Sequence, residues 1–331
     1  MENRIKNYYY QSVDDSILSP YYKKICNVII DFVPSKSSPN VLTLIGLFGV
    51  FVSTFIVIFL KNSIGLFYTC LSCSLLLFFY QIMDTLDGMQ GRRVGMYYNP
   101  TTELFDHGCD SITTCCVLYN LLNLTNLINE HFIIAIFYTM FCITNFYLPT
   151  WEHSNTGIMH FRQGIANPTE SIFFIKILFL VIGFFPNFFQ NIYVIVFGLI
   201  SLGFFTVVNF MQCYDDTMNS VKKSYLQKIK SILPLPLAYI YTLYLIGFYN
   251  DKIYYINIVS PLLTAILNLI WYEISGNSFD LISVLIIFLV NICDFTLGMY
   301  FFVPHYIFVF RNYTKIMCDI LGMKHFYSVN I

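Results

Sequence analysis

The apolar residues of this chain come in uninterrupted blocks of about 16–23, and no other feature restricts its fold as strongly. An amphipathic helix of a soluble domain alternates wet and dry faces, and these blocks do not. Their length suits helices that satisfy every backbone group internally while crossing hydrocarbon. With 57% hydrophobic and 11% charged residues, the chain is far too apolar for a soluble globular domain. The expected fold is an all-α polytopic membrane protein. A net charge of −1 implies no general attraction to nucleic acid or to an anionic surface.

Spanning segments are expected at 40–60, 64–83, 103–124, 132–150, 168–186, 191–212, 232–248 and 254–271. A last apolar region, 279–310, is too long for one straight helix and carries Asp294 and Pro304. Residues 19–32 mix charges with apolar residues at helical spacing, which predicts an N-terminal interfacial helix ended at Pro34. The first 18 residues are polar and tyrosine-rich and lack the apolar core of a cleavable signal peptide.

Basic residues set the orientation. Arg4, Lys6, Lys23, Lys24 and Lys36 fall on one side with Arg92, Arg93, Arg162 and the Lys222–Lys230 loop; the other side has only Lys61 and Lys252. The basic tail (Arg311, Lys315, Lys324) prefers the same side as the N-terminus, so the number of spans is even, about ten transmembrane helices. The expected organisation is a single membrane domain over 1–331: an N-terminal segment (1–39), a catalytic six-helix part (40–212) and additional C-terminal helices (213–331). The ten cysteines show no zinc spacing and read as small buried hydrophobes, the Cys70/Cys73 pair included.

Chemistry concentrates between Asp84 and Asp110. Asp84 and Asp87 are three apart, Asp106 and Asp110 four apart, so each pair shares a helix face. If the intervening loop folds back, the four carboxylates form a hard-oxygen site for Mg²⁺, Mn²⁺ or Ca²⁺. A carboxylate at membrane depth costs roughly 2.5–3.5 kcal/mol on insertion scales and usually marks function, so four in one place need an explanation, the bland one being helix-end solvation with pairing to Arg92 and Arg93. Gly88 permits close backbone approach to a ligand, and Arg92 or Arg93 is placed to clamp a phosphate. A diphosphate held through metal ions is the chemistry this pattern favours.

These residues resemble the CDP-alcohol phosphotransferases. That family is defined by D-x2-D-G-x2-A-R-x8-G-x3-D-x3-D, and the chain reads Asp84-x2-Asp87-Gly88-x2-Gly91-Arg92 … Asp106-x3-Asp110. Glu103–Ser111 (ELFDHGCDS), Ser38–Leu47 and the Trp151–Glu170 block are similar to the eukaryotic choline/ethanolamine phosphotransferases. The resemblance covers roughly the first 175 residues. Gly91 stands where the family has alanine, and Thr101 or Thr102 where it has its second glycine.

The resemblance implies two Mg²⁺ (or Mn²⁺) ions held by Asp84, Asp87, Asp106 and Asp110. It implies nucleotide contacts from Gly88, Gly91 and Arg92, and a headgroup or phosphate contact from Asn40. The implied substrates are CDP-choline or CDP-ethanolamine and diacylglycerol; the implied protein is a homodimer of the endoplasmic reticulum or Golgi with its active site facing the cytosol. The attacking hydroxyl must lose a proton. His107, whose ordinary pKa suits a base, is the first candidate, and Asp110 is the rival, because the wider family often gives that role to its fourth aspartate.

Blander readings accompany several residues. Asn40 also fits an ordinary helix start, and Glu170 a cap on the helix it opens. Lys176 and Asp294 are expected to pair between helices, and His131, His153, His160, His305 and His325 give no ligand spacing. Competing functions are a relative with an inositol or glycerol-phosphate acceptor, an intramembrane prenyltransferase, and a cation transporter using the carboxylates as an ion path. In prenyltransferases the two acidic motifs normally lie far apart, whereas here about 20 residues separate them.

Overall fold

The structure is a computed structural model that describes residues 1–96, 99–162, 167–248, 255–293 and 295–327. Lys252 and Asp294 lie outside the described residues. From the N-terminus, helix α1 (Glu2–Lys6) leads to strand β1 (Ser12–Asp14) and to α2 (Ser19–Ile29), which a 3₁₀ turn closes. α3 (Pro39–Phe55) continues through a π-helical turn into α4 (Lys61–Ile64). There follow α5 (Leu66–Arg93), α6 (Pro100–Leu124), α7 (Leu127–Glu130), α8 (Phe132–Thr156) and strand β2 (Met159–Phe161). The remainder is α9 (Pro168–Phe184), α10 (Pro186–Phe189), α11 (Ile192–Asn219), α12 (Tyr225–Ile232), α13 (Pro234–Phe248), α14 (Tyr255–Ser275), α15 (Leu281–Cys293) and α16 (Phe295–Leu321).

The boundaries follow local chemistry. Pro39, Pro100 and Pro168 each occupy the first helical turn, where a missing N–H costs nothing. Asn99, Asn167 and Asn191 cap α6, α9 and α11 by accepting the backbone N–H two residues on. Gly65, at φ 83°, turns the chain from α4 into α5. Ser224 and Gln227 cap α12 reciprocally.

Among the described residues, six helical stretches are long and apolar enough to cross a membrane: Pro39–Ile64, Leu66–Arg93, Phe132–Thr156, Ile192–Asn219, Tyr225–Ile246 and Asn257–Ser275. Large side chains such as Phe48, Phe55, Phe197 and Phe204 face outward, as lipid-facing positions do. The span within α14 is buried along its whole length, between helices of both halves of the chain. Its Asn257, Ser260, Thr264 and Asn268 are buried with it. A second core joins α3, α5, α6 and α9 around Val50, Leu77, Val117 and Phe179.

Helices α3 and α5 touch closely because Gly46 and Gly49 face α5. A Cβ on Gly46 would lie 3.1 Å from Met83 Cβ, and one on Gly49 would lie 2.9 Å from the Phe79 ring. One element was not expected in an all-α chain. β1 and β2 form a parallel pair, with Ser12 opposite Met159 and Asp14 opposite Phe161. Three-residue strands leave no periodic signal, and this pair forms only because the fold brings the N-terminal segment to the end of α8.

Candidate metal and headgroup site

The connection between α5 and α6 reverses the chain, placing the C-terminal end of α5 beside the first turns of α6. Carboxylate oxygens of Asp84, Asp106 and Asp110 thereby lie within 4.8 Å of one another. The two helices do deliver oxygens to one point. Asp87 is buried one turn away and accepts a hydrogen bond from Thr43 Oγ1 on α3 at 2.6 Å. Tyr80, one turn before Asp84, donates its hydroxyl to Asp110 Oδ1.

Three half-buried carboxylates facing each other are mutually repulsive, and a divalent ion relieves that repulsion. Asp106 Oδ1 is buried and accepts no hydrogen bond. An all-oxygen donor set of this kind fits a hard divalent cation. Hydrogen bonds from Tyr80 and Thr43 orient the carboxylates from behind.

His107 follows Asp106 on α6. It is 5% exposed, and its Nε2 has no hydrogen-bond partner. The Tyr10 ring packs 5.8 Å from the His107 ring and 5.5 Å from the His153 ring. Glu103, one turn before His107, accepts the Tyr8 hydroxyl on one oxygen, and its other oxygen lies 3.5 Å from His153 Nδ1.

The remaining candidates have diverse surroundings. Gly88 leaves open space, with the Arg92 guanidinium 3.9 Å from where a Cβ would stand. Gly91 is buried, and its carbonyl accepts the Met96 N–H at 2.8 Å. Arg92 is exposed at the end of α5, whereas Arg93 donates to the Ile30 and Val33 carbonyls at 3.0 and 3.2 Å. Arg93 thus holds the end of α2. Asn40 is fully buried and gives its amide N–H to the Phe326 carbonyl at 2.7 Å, while Phe326 stacks on Phe105. The C-terminal segment therefore closes over the start of α3.

Glu170 does not cap α9. Its Oε1 accepts from Ser16 Oγ and from the N–H groups of Ile17 and Leu18, at 2.9, 2.7 and 3.1 Å, which fixes the start of α2 instead. Lys176 bonds to neutral partners on other helices, Tyr22 and Gln81, and lies over the Tyr22, Phe78 and Phe173 rings. A second group with metal-ligand spacing, Glu152, His160 and Asp216, is bridged by Arg162, which donates to Glu152 at 2.7 Å and Asp216 at 2.8 Å. The guanidinium already balances that charge, so this cluster is an ion-pair network joining β2 to α8 and α11.

Sequence reasoning missed Thr43, Tyr80, Tyr8, Tyr10, Glu103 and His153. Helical spacing was a usable signal for two: Tyr80 lies four residues before Asp84, and Glu103 four before His107. For Tyr8, Tyr10 and His153 no local spacing exists, because strand pairing and the packing of α8 bring them in.

No family model matches the chain. Over 195 residues it is 36% identical to a CDP-alcohol phosphatidyltransferase class-I family protein of Dictyostelium discoideum, covering 56% of this chain and 47% of that protein. It is 30% identical over 181 residues to cholinephosphotransferase 1 of Mus musculus, covering 54% of this chain and 44% of that one. With choline/ethanolaminephosphotransferase 1 of Saccharomyces cerevisiae it shares 27% identity over 187 residues, 54% of this chain and 46% of the yeast protein. The aligned part spans about half the length of each of these relatives.

Proposed function

We propose that this chain, a homologue of the eukaryotic CDP-alcohol phosphotransferases over about half its length, transfers phosphocholine or phosphoethanolamine from a CDP-alcohol to diacylglycerol, releasing CMP. The observation that carries the reading is the convergence of Asp84, Asp106 and Asp110 beside the unpartnered Nε2 of a buried histidine.

Asp84, Asp106 and Asp110, with Asp87 alongside, would hold two Mg²⁺ or Mn²⁺ ions. Bound there, the ions neutralise diphosphate oxygens and stabilise charge on the departing CMP. The protein's own residues do the rest. Thr43 and Tyr80 keep the carboxylates aimed at one point. Gly88 lets the diphosphate approach the backbone of α5, and Arg92 meets its oxygens from the exposed end of that helix. Gly91 lines the nucleotide side, and Asn40 is the residue for a headgroup or phosphate contact.

His107 Nε2 takes the proton of the diacylglycerol hydroxyl as its oxygen bonds to the phosphorus carrying the amino alcohol. The P–O bond to CMP breaks on the opposite side. Asp110 is the weaker base, because a carboxylate committed to a cation and to the Tyr80 hydroxyl has little remaining basicity.

In this reading the helices beyond the six apolar stretches bring the total to about ten spans, with α2 lying in the interface. In the same reading the basic residues on that side favour a cytosolic Asp84–Asp110 face, and the protein is a homodimer of an endoplasmic reticulum or Golgi membrane. The test is headgroup transfer by the purified full chain, with labelled CDP-choline and CDP-ethanolamine, diacylglycerol and Mg²⁺ or Mn²⁺. Wild type forms labelled phospholipid and CMP; Asp106→Ala and His107→Ala lose at least about 10²-fold in kcat. A wild type that turns over neither donor overturns the reading.

A further inference from the structure

Helix α6 carries its part of the acidic cluster on one side and is backed by α16 on the other. At about 3.6 residues per turn, Asp106 and Asp110 share the face turned toward Asp84 on α5, and Phe105, Gly108 and Ser111 fall on the opposite face. That opposite face is where α16 packs. Tyr306 donates its hydroxyl to the Gly108 carbonyl at 3.3 Å and lies 3.4 Å from Ser111 Oγ. The Phe310 ring meets the Phe105 ring edge to face, with centroids 4.9 Å apart. A Cβ on Gly108 would stand 2.9 Å from the Phe310 ring, so the missing side chain is what lets α16 come this close.

Beyond α16 the chain hooks back. Gly322, at φ 68°, ends the helix, and the Met323 N–H returns to the Cys318 carbonyl at 2.9 Å. Met323 packs with Met96 and Cys318, and Val94 and Phe326 lie against them, so the hook grips the α5–α6 connection. Phe326 extends the grip. Its ring stacks on Phe105 with centroids 4.6 Å apart and planes 17° from parallel, and its carbonyl accepts from the Asn40 amide at 2.7 Å and from Ser38 Oγ at 3.3 Å. Phe105, the residue before Asp106, is thus packed by one ring from α16 and one from the hook, and the hook is itself tied to the start of α3.

Mutual repulsion pushes Asp106 and Asp110 away from Asp84, and with them α6 away from α5. Tyr80 opposes that movement from inside, through its bond to Asp110. Contacts on the far face oppose it from outside: α6 cannot recede without colliding with Phe310, and Phe105 cannot turn without leaving Phe326. Resting on the metal-assisted reading above, we infer that α16 and the hook after it hold the cation site preassembled, with Phe310 and Phe326 as positioning residues for Asp106 and Asp110. Both act through α6, setting where the helix stands and how its first turns face. Both also lie far beyond the motifs that carry the resemblance to the phosphotransferases, which end at Glu170.

The experiment measures Mn²⁺ binding to the purified full chain by calorimetry, without donor or acceptor, and headgroup transfer as a function of Mn²⁺ concentration. The proteins are wild type, Phe310→Ala, Phe326→Ala, Phe326→Tyr and Phe308→Ala. Phe310→Ala and Phe326→Ala weaken Mn²⁺ binding by about tenfold or more, the scale seen when support behind a metal ligand is lost. The Mn²⁺ needed for half-maximal transfer rises by a similar factor, and saturating Mn²⁺ restores most of kcat. Phe326→Tyr keeps the ring stack and binds Mn²⁺ as wild type does. So does Phe308→Ala, which removes a ring of the same size that is 62% exposed on the outer side of α16.

Wild-type Mn²⁺ affinity in Phe326→Ala, or in a folded Phe310→Ala, overturns the inference. An equal loss in Phe308→Ala or Phe326→Tyr overturns it too, because a general softening of the helix or hook would then be the cause. A fall in kcat that saturating Mn²⁺ does not restore has the same force. Should Phe310→Ala fail to fold, Phe326→Ala, whose ring is only half-buried, decides the matter. In all these cases wild type binds Mn²⁺ and transfers headgroups, so the transfer reading survives. A wild type that binds Mn²⁺ and turns over neither donor overturns the transfer reading alone, and one that binds no Mn²⁺ overturns both.

Discussion

Tyr80 on α5 donates its hydroxyl to Asp110 on α6, tying together the two helices that supply the acidic cluster. Tyr80 is buried, and one turn later the same helix presents Asp84 to the same point. The contact thus sets both the spacing of the helices and the rotamer of one candidate ligand. Removing the hydroxyl leaves the packing of the ring in place but frees the carboxylate. Tyr80→Phe should therefore retain the fold and weaken divalent-ion affinity by about 10–100-fold, the usual consequence of losing a hydrogen bond behind a metal ligand. Titrating Mg²⁺ or Mn²⁺ against transfer activity reads this directly. Saturating metal should restore most of kcat.

Chelation makes a separate prediction about stability. Asp84, Asp106 and Asp110 repel one another without a cation, so a bound ion stabilises the folded chain as well as its chemistry. Metal at about 100 times its dissociation constant adds about 2.7 kcal/mol by mass action. Purified protein treated with a chelator should melt at a lower temperature and recover on addition of Mg²⁺ or Mn²⁺. Asp106→Asn should show little of this metal-dependent shift. A wild type whose melting ignores both ions would remove the support for a bound cation.

Most of the helices and the acidic motif were legible in the chain, for identifiable reasons. Long apolar blocks announce themselves, and carboxylates three and four apart on neighbouring helices imply convergence once the loop is short. The partners that complete the site were not legible. Thr43 reaches Asp87 only because Gly46 and Gly49 let α3 approach α5. Tyr8 and Tyr10 arrive through the β1–β2 pairing, a long-range contact with no periodic signature. Glu170 looked like a local cap and instead holds the start of α2, where its Ser16 contact bridges 154 positions of the chain.

The glycine contact offers its own test. A Cβ on Gly46 would lie 3.1 Å from Met83 Cβ and 3.3 Å from the Tyr80 ring. Met83 Cβ is attached directly to the backbone and cannot swing aside, so α5 itself must shift. Met83 directly precedes Asp84 and Tyr80 lies one turn before it on the same helix, so the displacement reaches the cluster. Gly46→Val should cost about 1–3 kcal/mol from overpacking and lower transfer activity by more than that loss of folded protein explains. Thermal melting alongside specific activity per folded molecule separates the two effects. Ordinary activity per folded molecule would show that α3 accommodates the side chain without moving the aspartates.

Lys223 predicts a pH dependence whose sign can be worked out. It lies between α11 and α12 with its ammonium 3.7 Å from the centroid of the Tyr272 ring. Burial, assisted by Arg4, pushes its pKa down from 10.5 to about 8; Glu273 opposes the shift and Lys222 adds to it. An unfolded chain keeps the lysine protonated to about pH 10.4, so between about 8 and that value the unfolded state binds more protons than the folded one. Stability must then rise with pH across that window. The burial penalty is fully present below about pH 8 and fades above it. Tyr8 does not interfere, since its hydroxyl is held well above its ordinary pKa. Lys223→Met removes the titrating group, so the melting temperature of the variant minus that of wild type should fall as pH goes from about 7.5 to about 9.5. A difference that stays flat, or rises, would mean that the Lys223 ammonium is as well solvated in the folded chain as in the unfolded one.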